Sequence, residues 1–149
     1  MLQVEQLRVR FPGADGHAVE AVRGISFFLG SEKLGIVGES GSGKSQTGRA
    51  IMRLVRAPGQ VTGRILLGSE DLTALSERDM RDIRGRRVSM IMQDPRYSLN
   101  PVMRVGEQID EVFMRRLGMS GREARVRSTA LLESVWIRDV ERVYRAYSW

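Results

Sequence analysis

The chain contains no cysteine, which excludes disulfides, zinc–thiolate sites and thiol nucleophiles and leaves nothing that contradicts a reducing compartment. No run of about 18 or more apolar residues occurs, so no segment reads as a membrane-spanning helix. The opening Met1-Leu2-Gln3-Val4-Glu5-Gln6-Leu7-Arg8 carries an acid and amides where a signal peptide needs an unbroken apolar stretch. Lysine is nearly absent: of the 24 Lys and Arg residues only Lys33 and Lys44 are lysine. The formal charge is still +6, and arginine carries almost all of it. The arginines are spread along the chain among acids, and even the densest cluster, Arg78 to Arg87, is broken by Asp79 and Asp82. Nucleic-acid binders concentrate charge on one face and add aromatic platforms or a groove-reading helix. The charge is therefore read as a solvated arginine-rich surface, and no nucleic-acid partner is expected.

What is present is 149 residues with 42% hydrophobic content, enough for one soluble domain with one core. Leu2 to Phe11 alternates apolar Leu2, Val4, Leu7 and Val9 imperfectly with polar residues and reads as a strand. A turn follows at Pro12-Gly13-Ala14-Asp15-Gly16, and Ala18 to Leu29 resumes the extended pattern, giving a hairpin-like β unit. Leu34-Gly35-Ile36-Val37 is apolar on both faces, as a buried parallel strand is. Gln46 to Val55 has helical spacing and is ended by Pro58-Gly59. Val61 to Leu67 is a strand, Ser76 opens a short helix to about Ile83, and Arg87 to Met92 is another apolar strand. Val105, Ile109, Val112 and Phe113 mark a helix. Ala124, Ser128, Leu131 and Val135 mark another, opened by the capping-box pair Ser120 and Glu123. The order is β-rich first and α-rich last, and no repeat, low-complexity tract or linker supports a split into two domains.

Gly38-Glu39-Ser40-Gly41-Ser42-Gly43-Lys44-Ser45 satisfies G-x-x-x-x-G-K-[ST] between an expected strand and an expected helix. Glycines at 38, 41 and 43 permit backbone angles that turn successive N–H groups inward, forming an anion nest at a helix N-terminus. Lys44 then reaches the β- and γ-phosphates as a point charge, and the Ser45 hydroxyl is placed to ligate Mg²⁺. The expected ligand is a nucleoside triphosphate with magnesium. A second signal follows the apolar Met90-Ile91-Met92. Delivered at the carboxyl end of a parallel strand, Gln93 would point into the crevice where open α/β sheets bind ligands, to ligate Mg²⁺ or orient a water. The alternative reading of Gln93 is a polar residue starting a loop.

The run Leu34 to Ser45, followed by Gln93-Asp94-Pro95 and Ser98-Leu99-Asn100-Pro101, closely resembles the ATP-binding subunits of ABC transporters in the dipeptide, oligopeptide and nickel import group. Val61-Thr62-Gly63-Arg64-Ile65, Asp71-Leu72, Met80-Arg81-Asp82-Ile83-Arg84-Gly85 and Val105-Gly106-Glu107-Gln108-Ile109 are similar to that group in order and spacing, so the resemblance covers essentially the whole chain. It implies an α/β fold of the P-loop NTPase, ABC ATPase type, with an amino-terminal antiparallel β portion and the start of a helical subdomain. Residues 1–149 would form a partial nucleotide-binding domain, from the Walker A loop to just before the signature motif. By the resemblance, Gly38, Glu39, Ser40, Gly41, Ser42, Gly43, Lys44, Ser45 and Gln46 bind ATP, Ser45 and Gln93 hold Mg²⁺, and Lys44 and Gln93 act in catalysis. Phe11 takes roughly the place of the aromatic that stacks on adenine, and is equally read as a packed strand-end residue. The segment after Gln93, with Tyr97 and Leu99, resembles the surface that receives a coupling helix. The implied partners are transmembrane permease subunits, a second ATP-binding subunit, identical or not, and indirectly a periplasmic or extracellular solute-binding protein. The implied location is the cytoplasmic face of the cell membrane.

Such subunits continue with an LSGGQ-like signature, a Walker B strand with its Asp and following Glu, a D-loop and a switch histidine, none of which this sequence contains. Arg145-Ala146-Tyr147-Ser148-Trp149 resembles the stretch just before the signature, and the single His17 lies in the early β turn, read as an exposed loop residue. The expectation is Mg-ATP binding without turnover by this chain alone, and marginal solubility, because later strands that would cover apolar faces and strand edges are missing. The alternative is a truncated, non-catalytic nucleotide-binding or transporter-interacting protein. A different P-loop enzyme such as a kinase would need a substrate lid and its own acidic metal ligand, and neither is present.

Overall fold

In the structure, a computed structural model that describes residues 1–13, 15–93 and 98–148, Val4, Leu7 and Val9 are all buried. The step from 4 to 7 breaks the two-residue period of a strand, and the backbone accommodates it. Strand β1 (Leu2–Pro12) shifts register against both neighbours around Glu5 and Gln6, and Gln6 takes a positive φ of 46°. This bulge resets the alternation so that Leu7 faces the core again. The Gln6 N–H, turned out of the ladder, donates to Ser26 Oγ at 2.8 Å.

Chain contacts divide the described residues into two units, 1–90 and 91–149. The first holds an antiparallel sheet in the order β2-β1-β3-β4, with β2 at Ala18–Leu29, β3 at Gln60–Leu67 and β4 at Glu70–Asp71. Helices α1 (Lys44–Ile51) and α2 (Glu77–Ile83) complete it. Val4, Leu7, Val9, Val22 and Ile65 of the sheet pack with Ala50, Leu72, Met80 and Ile83 in one core. Leu7, Ile65, Leu72 and Met80 are wholly excluded from water, each such burial contributing about 1.5–3 kcal/mol. Ser76 caps α2 as its sequence indicates, accepting from the Asp79 N–H at 3.2 Å.

Three expectations are corrected. Leu34–Val37 and Arg87–Met92 form no strand: Leu34 and Ile36 are half exposed, and Val37 and Ile91 are each 93% exposed. Only Val88 makes a bridge, parallel to Arg84. A parallel strand requires neighbours to satisfy its N–H and C=O groups, and the sheet among the described residues is antiparallel throughout. Gln93 consequently does not sit at the end of a strand. The third correction concerns α1, which stops at Ile51 and turns at Arg53 (φ 52°), ahead of Pro58. The Leu54 N–H donates to Arg49 O at 2.7 Å and the Arg53 N–H to Ala50 O at 3.0 Å, a backbone closure over a left-handed residue that ends the helix before proline does. Arg84 adds to it, its Nε donating to the C-cap carbonyl of Met52 at 2.8 Å and its Nη2 to Arg53 O at 3.1 Å.

The second unit is helical: α3 (Val105–Leu117), α4 (Gly121–Ser134) and α5 (Val140–Arg145). Ser120 and Glu123 form the expected capping box. On α4 the expected Ala124 and Ser128 are buried, joined by Leu132 in place of Leu131 and Val135, while on α3 the buried positions are Gly106 and Asp110, neither of them expected. Val112, Leu131 and Val135 face outward. The reason is polar. The Asp110 carboxylate accepts from Ser128 Oγ at 2.5 Å and from the Tyr144 hydroxyl, which draws hydrophilic helix positions inward and satisfies them there. The Tyr144 ring lies so close over Gly106 that a Cβ at 106 would overlap it.

Candidate functional site

Beyond β2, residues 31–40 run exposed and without strand or helix to the loop Gly38–Ser45, which turns through a Ser42 N–H to Glu39 O bond of 3.2 Å. Gly43 is the N-cap of α1, at φ 90°. A Cβ there would fall inside the van der Waals shell of the Ala21 carbonyl oxygen on β2. Glycine is therefore required at 43 twice over, by the left-handed backbone and by the close approach. Thr47, buried, ties the first turn down: its N–H and Oγ1 both donate to Gly43 O, at 2.9 and 3.2 Å. Position and entry angle of α1 are thus fixed against β2 at its amino end.

That end is open to an anion. No side chain caps it, and no acidic residue lies in its first turn, so its N–H groups and the positive end of the helix dipole are uncompensated by the protein. Lys44 is half-buried, and its ammonium donates to Gly38 O at 2.7 Å, Glu39 O at 2.6 Å and Ser42 Oγ at 3.3 Å. A full positive charge is held over the loop by the loop's own oxygens. Gly38, Glu39, Ser40, Gly41, Ser42 and Ser45 are exposed and Gln46 is half-buried, so every loop residue singled out in the sequence lies on this one turn. Backbone donors, a helix start, a cation and a hydroxyl at the first helical turn make a set that fits phosphate oxygens with a hard divalent cation.

A cavity of about 470 Å³ backs onto the loop. Its walls include Val22 and Ile25 of β2 with Ile36 and Val37 before the loop, an apolar side, and Gly38, Gly41, Ser42 and Lys44 of the loop itself, a side suited to phosphate. Glu20 and Arg23 stand at the same cavity. Arg10 donates to the Glu20 carboxylate at 2.6 Å, and that bond, helped by Arg8, holds Glu20 below the usual carboxylate range. The sequence reading missed Ala21, Glu20 and Arg23 because nothing in the spacing of a loop tells which strand it closes against. The glycine at 43 signals a tight approach without naming the partner.

Phe11 is half-buried and packs at the edge of the core, and a Cβ on Gly59 would meet its Cε1 at 2.6 Å. It is not among the residues lining the cavity. Gln93 belongs to the second unit and is exposed at a bend. Asp94, Pro95, Arg96 and Tyr97 lie outside the described residues. Past them, Asn100 and Gln108 bind each other: the Asn100 N–H donates to Gln108 Oε1 at 2.8 Å, and Gln108 Nε2 donates to Asn100 O and Met103 O, both at 3.0 Å. Gln108 thereby fastens the Ser98-Leu99-Asn100-Pro101 stretch to α3.

Comparison with known proteins adds the following. Residues 23–148 match the ABC transporter family. The chain is 44% identical over 148 residues to the oligopeptide transport ATP-binding protein OppD of Salmonella typhimurium, an alignment covering 99% of this chain and 44% of that protein. It is 46% identical over 142 residues to the dipeptide transport ATP-binding protein DppD of Bacillus subtilis, covering 93% of this chain and 42% of that protein. The chain thus spans less than half the length of these curated relatives. Among solved structures, the ATP-binding cassette MJ0796, a dimer in a post-hydrolysis state bound to ADP and Pi, matches with a TM-score of 0.77 over 99% of this chain and 61% of that one, at 21% identity. At that identity the likeness establishes the fold.

Proposed function

Because the chain belongs to the ABC transporter family, we propose that it is the nucleotide-binding front portion of an ATP-binding subunit of a peptide importer. The observation that carries this reading is the Gly43–Lys44 corner: an uncapped helix start with a cation held over it by loop oxygens. The peptide assignment is supported by relatives named for oligopeptide and dipeptide transport at 44% and 46% identity.

In this reading the N–H groups of residues 43–46, at the uncapped start of α1, bind and orient the phosphates. Lys44 exchanges contacts with the loop for contacts with phosphate oxygens and neutralises their charge. The Ser45 hydroxyl, exposed at the first turn of α1, would hold the Mg²⁺, and Phe11 contributes to the adenine end. When bound, Mg-ATP supplies the phosphoryl group whose transfer to water drives transport. Alone, this chain binds nucleotide without sustained turnover, since the carboxylate that activates water in such subunits is expected beyond the portion it spans. Its partners are permease subunits and a second ATP-binding subunit at the cytoplasmic face of the membrane, with a solute-binding protein engaged through the permease. Among the described residues no helix is long and apolar enough to cross a membrane.

The test is a titration of the purified chain with a fluorescent ATP analogue, with and without Mg²⁺. Saturable binding that ordinary ATP displaces is the expected result. Absence of binding by a chain shown to be folded would overturn the reading.

A further inference from the structure

We propose that Arg84 is a positioning residue for the phosphate loop, acting through α1. The inference rests on the nucleotide-binding reading above and extends it. Helix α1 has eight residues, about 12 Å of length, and meets the core through Ala50 and the partly buried Ile51, so its own side chains grip the core over a short length. The loop sits at one end and Arg84 at the other.

The Arg84 side chain is 19% exposed and reaches back more than thirty positions along the chain. Its Nε and Nη2 bind the carbonyls of Met52 and Arg53, while Nη1 pairs with Glu77 Oε1 at 2.6 Å. Met52 is the C-cap, whose carbonyl the helix cannot satisfy internally, Arg53 follows it in the turn, and a fixed cation there complements the negative end of the dipole. Arg53 completes the tie from the other side, its Nη1 donating to Leu72 O at 3.3 Å and Leu75 O at 2.6 Å. A planar guanidinium fixes direction as well as distance, which a lysine ammonium does not. With Gly43 seated on Ala21 at one end and this double guanidinium tie at the other, the tilt of α1 has two determinants. Releasing the far one changes the angle at which the N–H groups of residues 43–45 meet a phosphate.

The experiment compares the wild-type chain with Arg84→Met and Arg84→Lys by nucleotide affinity and, in nucleotide-free ¹⁵N-labelled protein, by the amide resonances of Gly41, Gly43 and Lys44. Arg84→Met is expected to weaken affinity about tenfold and to move the loop resonances while those of β1 stay in place. Arg84→Lys is expected to recover part of both. A purely structural role would lower the melting temperature and leave the loop resonances unmoved. Unchanged affinity with unmoved loop resonances in Arg84→Met overturns the proposal. If the wild-type chain binds no nucleotide, the functional reading fails, and the loop resonances alone decide the role of Arg84. If Arg84→Met does not fold, Arg84→Lys is read on the same two measurements, and wild-type behaviour in both overturns the proposal.

Discussion

Gly43 and Ala21 approach so closely that the α-carbon of the one leaves no room for a Cβ beside the carbonyl oxygen of the other. This single contact joins the loop that carries the candidate chemistry to the central part of strand β2. It makes the phosphate site a product of sheet packing as well as of loop sequence. The loop's conformation and the helix entry it sets are inherited from where β2 lies, and β2 lies where its register with β1 puts it, Val22 opposite Val9.

Replacing Gly43 with alanine is therefore expected to be costly on two counts. A φ of 90° is a left-handed conformation that costs an L-residue about 1–2 kcal/mol, and the new methyl meets a backbone carbonyl that cannot rotate away. We expect Gly43→Ala to lower the unfolding free energy by about 2 kcal/mol or more and to abolish nucleotide binding. Urea unfolding and the ATP-analogue titration check the two parts separately. Wild-type stability in this variant would show that β2 and the loop do not meet as described.

Lys44→Ala removes both the cation and the three contacts that close the loop on itself. Charge-assisted hydrogen bonds are worth about 1.5–3 kcal/mol each, so nucleotide affinity is expected to fall by roughly tenfold to a hundredfold. The helix itself, held by Thr47 and Ala50, should remain, so the far-ultraviolet circular dichroism stays that of the wild type. Unaltered affinity for Mg-ATP in Lys44→Ala would remove the lysine from the site.

How much of this was legible beforehand varies by residue. The hairpin of β1 and β2, the glycine loop leading into α1 and the Ser120 cap follow from local patterns, since turn residues, phosphate-loop spacing and capping boxes act over a few positions. Arg84 was not legible, because among so many arginines a guanidinium that caps a helix looks like one that faces water. Asp110 and Tyr144 were hidden for a similar reason: Ser128 already stood on the expected face of α4, but the acid and the phenol that bind there come from two other helices, and no local spacing names them. Leu34–Val37 shows the converse error. Its apolar run has strand character in sequence, but a strand is a property of two segments, and among the described residues none pairs with it.

Tyr144 supplies a pH signature for the helical unit. Burial, reinforced by the Asp110 carboxylate it binds, pushes its phenol up to about 12, against about 10 in an unfolded chain. A group whose pKa is raised on folding stabilises fully below its unfolded value, and that stability is lost as pH rises through the folded one. The α3–α4–α5 unit is expected to lose stability progressively between about pH 10 and about pH 12. Tyr144→Phe should remove that alkaline slope. It should also cost about 1–3 kcal/mol at neutral pH, because one oxygen of the buried Asp110 loses its donor. Urea unfolding at neutral and alkaline pH, followed by circular dichroism, measures both. Equal alkaline slopes for the two proteins would contradict the buried Tyr144–Asp110 contact.

The exposed apolar residues before the loop predict how the purified chain behaves. Leu34 and Ile36 are about half exposed and Val37 is 93% exposed, three side chains within four positions that gain nothing from the core and present apolar surface to water. Such surface drives association of one copy with another. Substituting Ile36→Thr and Val37→Thr together removes apolar area while keeping β-branched shape, and no buried contact of the core is lost. The expected outcome is less self-association by static light scattering with unfolding free energy changed by no more than about 0.5 kcal/mol. Leu7→Ala provides the contrast: Leu7 is fully buried, and its truncation is expected to cost about 2–5 kcal/mol without relieving association. If the double threonine variant instead destabilises the chain as Leu7→Ala does, residues 34–37 are packed in solution and the exposed description of this segment is wrong.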